Sequence, residues 1–259
     1  MSFRSGLLVT RGLIIKRLVL LRRYPLNTAT QFITLYFVFL LLVVGGQALA
    51  PETFAESTSG IIVGYLLWTM AIGAYSALSW DLIRESQWGT LEQLFLSPVG
   101  FGRVTVLTVA VNLLESFLWG AGILLLMLQT TGTTIQVDLL TVVPVILLTL
   151  ASAIGIGFLT GGLAVLYKRV ENLFSVMRLL FIGFIAAPIE AYPVLQLLPL
   201  SFGTRLLHRA MVDGVRLWEF PIADLGFLLV KAAIYLLGGF LLFQLLQRKT
   251  RERGVLGHY

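Results

Sequence analysis

The chain has 259 residues, 58% of them hydrophobic and only 12% charged, against about 25% charged in soluble domains, so it carries too little polar surface for a water-soluble globule. The absence of Cys excludes structural disulfides and thiolate metal sites, and two His argue against an all-histidine centre. The net charge of +6 sits at the ends of apolar blocks, a distribution that suits anionic lipid headgroups and not a nucleic-acid groove.

The amino-terminal arm, residues 1–28, carries Arg4, Arg11, Lys16, Arg17, Arg22 and Arg23 among apolar residues. Phe3–Tyr24 is predicted to be a helix lying at headgroup level. On a helical wheel Arg4, Arg11 and Arg22 cluster, Lys16 and Arg23 form a second group, and Arg17 stands apart. Snorkelling side chains are therefore expected, without one clean polar face.

Six apolar blocks follow, each near the roughly 20 residues that cross about 30 Å of hydrocarbon. They are Ala29–Leu49, Ile61–Leu82, Val104–Leu128, Leu139–Tyr167, Leu173–Ala187 and Ile222–Leu246. Ala48-Leu49-Ala50 has the small-x-small look of a cleavage site, but the preceding apolar run is far longer than a signal-peptide core and Pro51 follows directly. The first block is read as a retained span.

Orientation comes from the connections. The arm is basic, residues 50–60 carry Glu52 and Glu56 without a cation, and the next connection has Arg84 and Arg103. Residues 129–138 have no cation, Lys168 and Arg169 follow the fourth block, and the tail holds Arg248, Lys249, Arg251 and Arg253. This alternation places both termini in the cytoplasm of a cell-membrane protein. The external segment 188–221 departs from it with Arg205, Arg209 and Arg216, as a long structured segment can. The whole reads as one transmembrane domain over 1–259: an arm at 1–28, a six-span bundle at 29–247 and a cytoplasmic tail at 248–259.

Between the second and third blocks lies Asp81–Val99, DLIRESQWGTLEQLFLSPV, far more than a turn requires. Over Arg84–Leu96 the wheel puts Trp88, Leu91, Leu94 and Phe95 on one arc, Glu85 and Gln93 opposite, and Glu92 on the flank. This predicts a surface helix, stopped at Ser97-Pro98 because proline cannot continue the ladder. Its acidic residues suit a soluble partner better than the anionic leaflet.

Inside the blocks two charges stand out. Glu115 lies about 16 Å along the third block and Lys231 about 14 Å along the sixth, at 1.5 Å per residue. Each falls near mid-bilayer, where a charge costs roughly 3 kcal/mol. Mutual pairing, a protonated Glu115, a hydrogen bond from Glu115 to a neighbouring helix or snorkelling of Lys231 would each relieve that cost, and these structural roles are favoured over a substrate site. Gly155, Gly157, Gly161 and Gly162 include a G-x-x-x-G spacing that permits close helix approach. Trp68, Trp80, Trp119 and Trp218 read as interface anchors. Asn112 and Gln47 carry no assigned role.

Glu85…Gly89-Thr90-Leu91-Glu92-Gln93-Leu94…Ser97-Pro98, placed just after a second span, resembles the first coupling helix of ABC transporter permeases of the type-2 export family. The resemblance extends to the length, the six spans, the basic arm and the short turn at Lys168–Asn172. It also takes in the segment Pro188…Pro193…Pro199-Leu200-Ser201…Arg209…Gly214. It implies an all-α integral membrane protein whose external segment after the fifth span forms short re-entrant helices. Such a chain would pair with a separate ATP-binding subunit and with a second permease copy. Glu85, Gly89, Thr90, Leu91, Glu92, Lys168 and Arg169 would meet the ATPase. ATP and Mg would sit on that partner, since the chain has no G-x-x-x-x-G-K-[ST] motif, and no cofactor is expected on this subunit. It would not itself be an enzyme. An ion- or proton-coupled secondary transporter or channel, with Glu115 as its titrating group, is the alternative. An intramembrane enzyme would need a Ser, His and carboxylate constellation that the spans lack. The missing charge in most of the bundle favours a hydrophobic or amphipathic cargo.

Overall fold

A backbone that crosses hydrocarbon must satisfy its own N–H and C=O groups, and within one segment only a helix does so. The computed structural model describes residues 3–49, 51–97, 99–167 and 170–252, and every long element among them is an α-helix. In chain order they are α1 (Phe3–Arg23), α2 (Pro25–Leu49), α3 (Pro51–Gln87), α4 (Leu91–Phe95), α5 (Phe101–Thr131), α6 (Leu139–Tyr167), α7 (Glu171–Ile185), α8 (Ser201–Met211) and α9 (Ile222–Glu252). Short 3₁₀ turns at Pro193–Leu197 and Leu217–Glu219 flank α8.

Five of these helices are long and apolar enough to cross a bilayer: α2, α3 over Ser57–Gln87, α5, α6, and α9 over Ile222–Thr250. The fifth predicted block becomes α7, whose 15 residues reach only about 22 Å, short of a full hydrocarbon core. Six full spans therefore reduce to five and one short apolar helix among the described residues. Ala187-Pro188 accounts for the early stop, because the residue before proline is pushed out of the helical region. A second difference lies at residues 51–60, expected as a connection. They form the opening turns of α3 instead, with Pro51 at the first helical position and Glu52 in the first turn, both favourable at a helix start.

The glycines of α6 decide the packing. Gly157 lies against the backbone of Tyr75 in α3, so close that an added Cβ would stand 2.6 Å from the Tyr75 carbonyl oxygen. On the other side Gly155 abuts Tyr235 and Gly239 of α9, and Gly162 abuts Leu246. Without side chains at these points α6 can wedge between α3 and α9, the close approach small residues allow. Around it Tyr75 takes edge-on contacts from Phe174 and Phe181 of α7, at 6.0 and 5.3 Å between ring centres. Phe243 of α9 lies 5.9 Å from Phe101 of α5, so the carboxyl-terminal half of α9 and the start of α5 share one end of the bundle.

The other end is capped by the α8 region. Alpha-helix α8 is amphipathic and buries Leu206, Leu207, Ala210 and Met211. Met211 accepts the backbone N–H of Gln136 at 2.9 Å, Thr141 accepts that of Leu217 at 2.8 Å, and Ser152 accepts that of Leu200 at 3.2 Å. By contrast α2 buries only Phe39 and Val43 and leaves Ile33, Phe37, Leu41 and Val44 exposed, a face suited to lipid or to another apolar surface.

Candidate functional site

The end of α3 is a helix terminus built around Gly89. This residue has φ +70°, a left-handed conformation that glycine adopts without strain. The N–H of Gly89 reaches the Ser86 carbonyl at 3.2 Å and the N–H of Thr90 reaches that of Glu85 at 2.9 Å. These two bonds satisfy the orphan carbonyls of the last turn in a Schellman arrangement. The predicted continuous helix over Arg84–Leu96 is thus two pieces, the last turn of α3 and the five-residue α4. An added Cβ at Gly89 would meet nothing within 4 Å, so the glycine is required for its backbone and not for space.

Alpha-helix α4 is anchored by its apolar side. Leu94 and Phe95 pack on the core, and the Phe95 ring stacks on Phe101 at 4.1 Å. Gln93 faces outward, as the wheel predicted. Trp88 is 56% exposed and has left the apolar arc, with the Lys16 ammonium 5.9 Å from its ring centre. The side chains of Leu91 and Glu92, and residues Pro98, Lys168 and Arg169, lie outside the described residues.

Glu85 does not project outward. It is buried at 8% exposure, pairs with Lys16 of α1, and accepts a hydrogen bond from the Thr90 hydroxyl. The next residue of α1, Arg17, pairs with Glu115 of α5 and lies 3.4 Å from Asp81 of α3. Asp81 also pairs with Arg84 and accepts from the Asn112 amide at 3.0 Å. Glu115 accepts from the Trp119 indole N–H at 3.2 Å. Three carboxylates, Asp81, Glu85 and Glu115, therefore meet three cations, Lys16, Arg17 and Arg84. In a partly buried setting a balanced and hydrogen-bonded set of charges is tolerated, whereas any one left alone is not. Alpha-helix α1 is consequently clamped to α3, to the approach to α4 and to the middle of α5.

Glu115 and Lys231 do not pair with each other. Lys231 is buried and donates to the Gln196 carbonyl at 2.6 Å, with Ser201 Oγ at 3.4 Å. It holds the segment that leads into α8. That segment contains Leu200, the one described non-glycine residue with positive φ, at 66°. Pro199 is buried beside it, while Pro188 and Pro193 are exposed. Arg209 and Arg205 both face Asp224, at 3.7 and 3.8 Å, and Arg216 lies over Trp218 at 5.6 Å. The cations that break the loop alternation are thus matched locally, and Arg205 and Arg209 stand on the wall of a cavity of about 960 Å³ that also holds His208 and Glu190.

Next to the charged corner a second cleft, of about 590 Å³, lies between α2, α3, α5 and α7. Trp68, Trp80 and Trp119 line it together with Arg178, so these indoles gather around one cleft and are not scattered as separate anchors. Sequence reasoning passed over Arg178, and over Lys16, Arg17 and Asp81 as partners. The signal for Arg178 was available: a lone cation inside an apolar block, the same criterion that singled out Glu115 and Lys231. Among the described residues no three His, Asp or Glu side chains gather as metal ligands would.

These features define an all-helical, multi-pass membrane protein with a charged corner at one end and a polar, indole-lined cleft within the bundle. Comparison of the chain with family models, curated proteins and solved structures finds no match to any of them.

Proposed function

We propose that this chain is the membrane-spanning subunit of an ATP-driven exporter of the ABC type, working as a dimer and coupled to a separate ATP-binding subunit through the element around α4. Both termini then face the cytoplasm of a cell-membrane protein, and the region around α8 faces outside. The observation that carries the reading is the corner itself. A five-residue helix hangs between two long apolar helices, and the turn that leads into it is tied to α1 by Lys16, Glu85 and Thr90. A push on α4 is passed to α3 through the hydrogen-bonded turn at Gly89 and to α5 through the Phe95–Phe101 stack. It also reaches α1 through Glu85. Glu85 and Thr90 hold the corner from within, while Gln93 is exposed to a docking partner. Leu91, Glu92, Lys168 and Arg169 remain the proposed direct contacts.

A proton-coupled carrier would use Glu115 as a titrating carboxylate. Its pairing with Arg17 and Trp119 gives Glu115 a structural task, and the ATP-driven reading is preferred. A photo-crosslinker placed at Gln93 tests it. It should capture a protein bearing a G-x-x-x-x-G-K-[ST] motif, whose ATP hydrolysis changes several-fold when this chain is present in liposomes. Labelling of Gln93→Cys by an impermeant maleimide from outside intact cells, or capture of no such ATPase, overturns the reading.

A further inference from the structure

Arg178 lies in the middle of α7 and is exposed on the wall of the cleft between α2, α3, α5 and α7. No acidic residue lines that cleft. Among the described residues no carboxylate stands within ion-pairing distance of its guanidinium. Other described cations in the bundle interior have partners: Arg17 has Glu115, and Lys231 has the Gln196 carbonyl. A guanidinium inside an apolar helix calls for a partner, and among the described residues no carboxylate supplies one.

The backbone holds the residue in place. Trp68 donates its indole N–H to the Arg178 carbonyl at 3.1 Å, which fixes the middle of α7 against α3. The opposite wall is also fixed, because Glu115 holds Trp119 by its indole N–H and Phe32 packs on the ring at 5.5 Å. Hydroxyl and amide groups, among them Thr30 and Gln31 of α2, complete a lining with both apolar and hydrogen-bonding surface. A volume of about 590 Å³ is that of a small-molecule pocket.

We infer that this cleft binds an amphiphile through its anionic group, a phosphate or carboxylate held by Arg178, with the apolar body laid against the indoles. Guanidinium recognises these two groups through paired N–H donors, and flat aromatic faces accept an acyl chain or ring without a directional demand. The inference rests on the bilayer setting and not on ATP coupling, so a site occupied in the absence of any ATPase upholds it.

The test uses the full chain in detergent micelles, with its own tryptophans as reporters. Brominated phosphatidic acid should quench emission saturably, at a mole fraction about tenfold below brominated phosphatidylcholine, the difference one charge-assisted pair supplies. Arg178→Gln should abolish the preference, and Arg178→Lys should keep part of it, which separates loss of charge from loss of folding. Replacing Trp80 and Trp119 by Phe should remove most of the saturable signal. Equal quenching by the two lipids overturns the inference. So does a preference that survives in Arg178→Gln, or no saturable quenching at all, as when a second copy of the chain fills the cleft. Inorganic phosphate that displaces the lipid mole for mole would assign the site to a free anion and overturn the amphiphile.

Discussion

Arg17 of the amino-terminal helix and Glu115 in the middle of α5 form an ion pair across 98 residues of sequence. The pair fixes an arm that composition alone would leave as a floating surface helix. It also answers what compensates Glu115, since the carboxylate has both a cation and the Trp119 indole. Through Arg17 the same contact reaches Asp81, and so ties the end of α3 to the set.

Breaking this pair should be felt throughout the corner. Arg17→Ala or Glu115→Ala each leaves a charge without its partner in a partly buried site, at a cost on the order of 3 kcal/mol. In a double-mutant cycle read by denaturing-detergent unfolding, coupling should exceed roughly 0.5 kcal/mol. Additive single effects would refute the pairing.

Lys231 gives the complementary case. Because it holds the Gln196 carbonyl and not Glu115, Lys231→Met combined with Glu115→Gln should be additive within about 0.5 kcal/mol. The single Lys231→Met variant should loosen the chain before α8, seen as faster proteolysis near Gln196. Measured coupling between the two positions would restore a direct pair.

The latch between Lys16 and Glu85 invites a charge swap. Lys16→Glu and Glu85→Lys should each raise labelling of a cysteine placed at Gln93, because each puts like charges side by side. The double swap should return labelling towards that of the parent. If neither single change alters labelling, α1 does not hold the corner.

Gly89 should tolerate substitution by conformation and not by size. With φ +70° and open space around it, Gly89→Ala should cost about 1 kcal/mol, and Gly89→Asn less, since Asn visits the left-handed region more readily. Stability equal to the parent in both variants would contradict the turn geometry.

Two glycines inside helices should behave oppositely. Gly157→Ala must displace the Tyr75 backbone, whose carbonyl would stand 2.6 Å away, and should destabilise by about 1–3 kcal/mol as overpacking does. At Gly183 an added Cβ meets nothing within 4 Å, so Gly183→Ala should be neutral or gain up to about 1 kcal/mol. Unfolding midpoints of the two variants in one detergent series check the contrast.

Much of this architecture is legible in the chain because the relevant signals are local. Apolar run length finds the five long apolar helices, though it also takes the shorter α7 for a span. The proline at 188 marks where the chain bends after α7, whereas the helix start at Pro51 reads as a connection. The glycine spacing on α6 foretold a close-packed face, and the apolar arc at Leu94 and Phe95 foretold the side of α4 that packs inward. The polar break after the second block placed the corner correctly, although Gly89 divided it into a helix end and a separate short helix.

What the sequence could not determine is the identity of each charge's partner. Lys16 and Glu85 are 69 residues apart, and their meeting depends on the rotation, tilt and depth of helices set by packing elsewhere in the bundle. The same holds for Lys231, which found a backbone carbonyl, and for Arg178, which found a cleft walled by indoles from two other helices. Periodicity reports which face of one helix is apolar. It carries no record of which neighbour that face will meet, because that choice is made by the close approach of glycine-lined surfaces and the balance of charges across the assembled bundle.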